Sequence, residues 1–232
     1  MQFLALVNRA RMECGVSAIP LSSFSGLAAA DLRIKTWVAQ AWADVQAMHS
    51  DWQFMQTPVS FATVDNQSLY LPTDTGVGTD VTDWKRDSFR CYSTADGYGD
   101  EQVLPYMEQD TFRDVYQFGQ MRTNQSRPVV FAIDPATRGL LIGPVPLAGY
   151  TIDGLCYRMP TDLVSETDDP GGTGNNLPSR WHMLLVWKAA QSYAFYEAAP
   201  EVKQRADTEV TRLKEELEIE QIPSMIFGPP LG

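Results

Sequence analysis

The chain has little of what most catalytic and metal sites are made from. It holds two histidines, His49 and His182, and three widely spaced cysteines, Cys14, Cys91 and Cys156. No CxxC pair occurs, so neither a zinc site nor a disulfide framework is indicated, and a reducing compartment is expected. The zincin HExxH, the hydrolase GxSxG and the phosphate-binding GK[ST] loop are all missing from the sequence. Each histidine sits among aromatic residues in a helical pattern, which predicts structural rather than catalytic roles. No catalytic residue, metal ligand or cofactor is predicted.

Basic charge is also scarce. Eighteen Lys and Arg stand against twenty-nine Asp and Glu, a formal net charge of −11. Such a surface repels phosphates, which argues against a binder of nucleic acid or of anionic membranes. Long apolar runs are missing too: Met183 to Trp187 is far short of a membrane span. The opening Met1-Gln2-Phe3-Leu4-Ala5-Leu6-Val7 lacks a preceding basic residue and is followed at once by Arg9 and Arg11, so it is not read as a signal peptide. A soluble protein is expected.

What is present is a well-stocked core. Hydrophobic residues make up 44% of the 232 positions, and there are six tryptophans, so the chain can bury a full interior. The stretch from Leu177 to Ala198 organises it. Read at helical period, Trp181, Leu185, Ala189 and Tyr196 fall near one face, Val186, Ala190 and Tyr193 on another, and Leu184, Trp187 and Phe195 on a third. A helix apolar on nearly every face is predicted to be surrounded by protein.

Two helices precede it near the amino terminus. One runs from Phe3 to Cys14 and is stopped by Gly15. The other runs from Leu27 to about His49, with apolar residues recurring every three or four positions. Beyond Trp52 the period changes to that of strands: Val59-Phe61-Thr63, Ser88 to Tyr92, Gln102 to Tyr106, and Tyr150 to Arg158. The stretches Arg127 to Ile133 and Gly139 to Pro144, joined by Asp134-Pro135, predict a hairpin. A short helix is expected from Glu108 to Phe118. Asp96-Gly97-Tyr98-Gly99-Asp100-Glu101 lacks the spacing of a calcium loop and reads as a turn. Ser165 to Asn176, centred on Asp-Asp-Pro-Gly-Gly, reads as a polar loop without fixed structure.

After Ala199-Pro200 a final helix to Gln221 carries one narrow stripe, Val202, Ala206, Val210, Leu213 and Leu217, with charges elsewhere. Ile222 to Gly232 is an apolar, proline-punctuated tail that cannot continue the helix. The predicted class is α+β. Helices at residues 1–51 and 177–221 form a bundle, residues 52–176 form an inserted β-rich region of short antiparallel strands, and residues 222–232 form an extended tail.

Several stretches, taken in order, carry a family resemblance. They are Trp37-Val38-Ala39-Gln40-Ala41-Trp42 with Asp51-Trp52-Gln53-Phe54-Met55, Arg127-Pro128-Val129-Val130-Phe131 with Ile142-Gly143-Pro144-Val145-Pro146, Leu177 to His182, and Glu197 to Val202. In these the chain resembles the head-to-tail adaptor, or connector, proteins of tailed bacteriophages. The resemblance implies a virion structural protein, made in the cytoplasm of the infected bacterium. It implies a ring, usually of twelve subunits, docked on the portal and meeting a stopper or tail-completion protein on the tail side. DNA would pass through its channel without sequence-specific binding, and no membrane is involved. The carboxy-terminal arm would reach the portal, with Ile222, Pro223, Met225, Ile226, Phe227, Pro229, Pro230 and Leu231 as its contacts. Two other classes stay open from the residues alone. One is a small enzyme with a site assembled from scattered acids, and the other is a partner-binding module that uses the tail as its ligand.

Overall fold

The computed structural model describes residues 1–172 and 174–222. Five α-helices and ten β-strands occur among them, a mixed α+β fold with helices toward both ends and antiparallel strands between. In chain order the helices are α1 (Phe3–Glu13), α2 (Ala29–Ala47), α3 (Gln109–Tyr116), α4 (His182–Tyr196) and α5 (Pro200–Gln221). The strands are β1 (Gln56–Ala62), β2 (Leu69–Tyr70), β3 (Val81–Trp84), β4 (Arg90–Ser93) and β5 (Gln102–Val103). They continue as β6 (Gln125–Ser126), β7 (Val130–Ile133), β8 (Leu140–Gly143), β9 (Val145–Pro146) and β10 (Tyr150–Arg158). The chain divides into two units. One joins Met1–Met55 to everything from Pro160 onward, and the other is Gln56–Met159.

In the helical unit, α4 packs against α1, α2 and α5. Leu184, Leu185, Val186, Trp187, Ala189, Ala190 and Ala194 are all buried, so three different faces of one helix are covered. Each neighbour supplies a stripe at helical spacing: Phe3, Leu6, Val7 and Ala10 from α1, Ile34, Val38, Ala41 and Val45 from α2, and Ala206, Val210, Leu213 and Leu217 from α5. The break between α4 and α5 has a local cause. Ala198 takes a left-handed backbone (φ 51°), and Pro200, which has no N–H to leave unpaired, begins α5.

The loop from Ser165 to Asn176 is a correction to the sequence reading: residues 165–172 and 174–176 hold a hydrogen-bonded course. No side chain caps α1, and its orphan amides are satisfied by this loop instead. Phe3 N donates to Asp168 O (2.6 Å) and Leu4 N to Glu166 O (3.2 Å). Asp168 Oδ2 in turn accepts from Val164 N and Ser165 N, each at 2.7 Å. Buried Gln46 brackets Thr161, donating to its carbonyl and accepting from its amide, both at 2.9 Å. The acids of Asp168-Asp169 that could have served chemistry therefore hold backbone.

In the β unit, β10 is the axis. It pairs along its length with β1, from Gln56↔Tyr157 to Ala62↔Thr151. On its other side lie β3 and β4 in succession, with β5 beyond β4. A second sheet runs β2-β8-β7, and β6 pairs with β9 in parallel. The Phe89 ring lies against Gly154 in the middle of β10, 4.6 Å from the Phe131 ring centroid and 6.0 Å from that of Trp84. A glycine inside a strand normally weakens it, and here it makes room for that ring. The predicted turn at Asp96 to Glu101 contains a short 3₁₀ segment, Gly97–Asp100. Arg127 fixes it, donating to both Asp100 carboxylate oxygens at 2.7 Å and to the Asp100 and Cys91 carbonyls.

Candidate functional site

Burial along α4 stops abruptly. Through Ala194 its apolar side chains are covered, but Phe195 is 73% exposed and Tyr196 54% exposed. The expectation that the whole helix is surrounded by protein therefore fails in its last turn. The sequence held a signal for this. One helical turn and two turns before Phe195 stand Gln191, Ser192 and Lys188, the polar side of an otherwise apolar helix. Phe195 continues that side.

An aromatic surface is built around the exposed turn. Trp37 of α2 stands edge-on to Tyr193 (6.3 Å between ring centroids) and close to Tyr196 (5.9 Å). Arg33, one turn earlier on α2, holds its guanidinium 4.3 Å from the Tyr196 ring centroid. Lys203, in the first turn of α5, places its ammonium 5.2 Å from the Phe195 centroid. Two cations thus lie near the two exposed rings.

Polar contacts fix these cations in different ways. Lys203 Nζ donates to Asp207 Oδ2 (2.7 Å), and Gln191 donates to Asp207 Oδ1 (2.8 Å). Those two bonds hold the Asp207 carboxyl below the usual carboxylate range. Lys188 pairs with Asp44 at 3.6 Å. Arg33 is exposed and makes no ion pair among the described residues. Between α2 and α4 these side chains border a groove of about 210 Å³, lined by Trp37, Gln40, Asp44, Lys188, Gln191 and Phe195. Trp, Tyr and Arg at an exposed, partly concave surface are the composition of a protein contact.

The other predicted residues fall as follows. Ile222 is half-buried against the helical core, its amide bonded to Glu218 O at 3.0 Å. Pro223, Met225, Ile226, Phe227, Pro229, Pro230 and Leu231 lie outside the described residues. His49 Nε2 meets Glu218 Oε1 at 2.8 Å, and its ring stands edge-on to Trp52. His182 is buried at the start of α4. All three cysteines are free and buried. Among the described residues no cluster of three or more His, Cys, Asp or Glu could hold a metal ion, and no helix is long and apolar enough to cross a membrane.

Comparison with known proteins gives one finding. A family model described as SU10 adaptor protein matches residues 1–224, all but the last eight positions of the chain. No curated protein matches it.

Proposed function

The chain belongs to the SU10 adaptor protein family, a family of bacteriophage head-to-tail adaptors, and from that premise we propose that it forms the ring linking the portal of the capsid to the tail. The ring would hold twelve copies. Residues 1–55 and 160–221 would build its helical body, residues 56–159 would face the tail side or ring exterior, and residues 222–232 would reach the portal. A stopper or tail-completion protein is the partner on the tail side, the virion is its location, and DNA passes through the channel without being held. The family match across residues 1–224 carries this reading.

Physical features support it. A ring subunit needs two different surfaces that meet on adjacent copies. The uncovered Phe195 and Tyr196, on a helix otherwise buried, suit one of them. A net charge of −11 disfavours retention of DNA by each subunit.

Within this reading the tail is the portal contact. The sequence sets Met225, Ile226, Phe227 and Leu231 among Pro223, Pro229 and Pro230, an apolar composition that suits a segment docking in a groove. Since Ile222 packs on the helical core, a chain ending at Ile222 is expected to keep its melting temperature while failing to join portal-containing heads. Normal docking by that shortened chain would move the contact elsewhere. Its unfolding would assign the tail to the subunit's own core.

A further inference from the structure

A second exposed apolar feature of the helical unit lies near the other end of α5. Ile219 is 84% exposed, set among Glu215, Glu216, Glu218 and Glu220. Three of those acids are already neutralised in part: Glu216 by Arg212, Glu218 by Lys214, and Glu220 by Arg180. Glu215 is exposed and makes no ion pair among the described residues. It precedes Ile219 by four residues, so the two side chains stand one turn apart on the same face. The aromatic groove shows the mirror of this arrangement. Arg33, without an ion pair among the described residues, precedes Trp37 by four residues on α2, and the exposed Phe195 stands across the groove.

We propose that the groove between α2 and α4 of one copy receives the end of α5 of a second copy, with Ile219 entering beside Trp37 and Phe195 and Glu215 pairing with Arg33. The unpaired charges are opposite in sign, and each stands one helical turn from the apolar group it accompanies. A single parallel approach of the two helices therefore makes both contacts at once. Desolvating the exposed aromatic and aliphatic groups supplies the attraction, and the charge pair fixes the register. Lys203 and Ile219 are sixteen residues apart, roughly 24 Å along α5 at 1.5 Å per residue. The two surfaces are thus separate on one subunit, which is what a heterologous contact requires and an isologous dimer does not. This inference rests on the ring reading and specifies its lateral contact.

The test uses the full chain bound to portal-containing heads, with bound copies counted by quantitative mass spectrometry. Arg33→Glu and Glu215→Arg each replace an exposed side chain and should leave the melting temperature unchanged. Each should lower assembly about tenfold, and the double variant R33E/E215R should restore it to within about threefold of wild type. Failure of the double variant to restore assembly, or no loss in either single variant, overturns the proposed contact. A photo-crosslinking benzophenone side chain at position 195, in an equal mixture of light and heavy isotope-labelled protein, should join copies through the segment Glu215–Gln221. Crosslinks between copies at any other segment overturn the contact while leaving the ring in place. A single copy bound per head would overturn the ring reading itself.

Discussion

At the residue scale, burial governs the protonation of His182 and of the three cysteines. His182 is 1% exposed, with Nε2 3.1 Å from Leu177 O and Nδ1 against the Met1 amine. Burial, and after it the positive Met1 amine, push the imidazole below its ordinary value, although the Leu177 bond and Asp169 oppose this. The ring is therefore neutral at neutral pH, and Nε2–H donates to Leu177. The unfolded chain takes up the proton near pH 6.5, about the ordinary histidine value, whereas the folded one resists it. The stability from this group is thus complete above that pH and is lost as the pH falls below it toward the folded value. Melting temperature should decline between pH 7 and 5, and His182→Gln, which can keep a donor to Leu177, should flatten that slope. Equal slopes in the two proteins would contradict the assignment. Burial acts likewise on the thiols, raising Cys14 to about 12 and Cys91 and Cys156 to about 11, so none is a thiolate at neutral pH.

At the scale of elements, the sharpest constraint is in β10. A Cβ added at Gly154 would lie 2.6 Å from the Phe89 ring, which is itself wedged beside Phe131 and Trp84. Gly154→Ala should therefore destabilise the fold by about 1–3 kcal/mol through overpacking, read as a lower midpoint in denaturant. An unchanged midpoint would mean that Phe89 moves aside without cost. What the sequence made legible follows from how local each signal is. The stripes of α1, α2 and α5 and the alternation of β1 depend only on neighbouring residues, and their periods identified them. The pairing of β7 with β8 was legible because a turn at Asp134-Pro135 joins them. That β1 pairs with β10, more than eighty residues later, has no local signature, and neither does the parallel β6–β9 contact. The loop from Ser165 was misread for a related reason. Its composition is that of a flexible segment, but its order comes from amides of α1 distant in sequence. At the candidate site, the apolar type of Phe195 points to the core, whereas the polar residues one and two turns before it point to solvent, and solvent is where it lies. Trp37, Arg33 and Lys203 come from three stretches of chain, and only the packing of α2, α4 and α5 brings them to that ring.

On the scale of the whole molecule, the chain combines buried cores with exposed apolar groups. Its polar clusters, from Arg127 on Asp100 to Gln46 on Thr161, hold backbone in place. Its most exposed large apolar groups include Ile219 and Phe195, near the two ends of α5. The chain belongs to the SU10 adaptor family, and the proposed ring would act by position, between a portal and a tail. The most direct measurement is electron cryomicroscopy of portal-containing heads incubated with the purified full-length chain. The expected image is a closed ring of twelve identical subunits coaxial with the portal, with an open central channel and the residues after Ile222 in contact with portal density. A single copy at the vertex, or heads left bare at saturating protein, would contradict it.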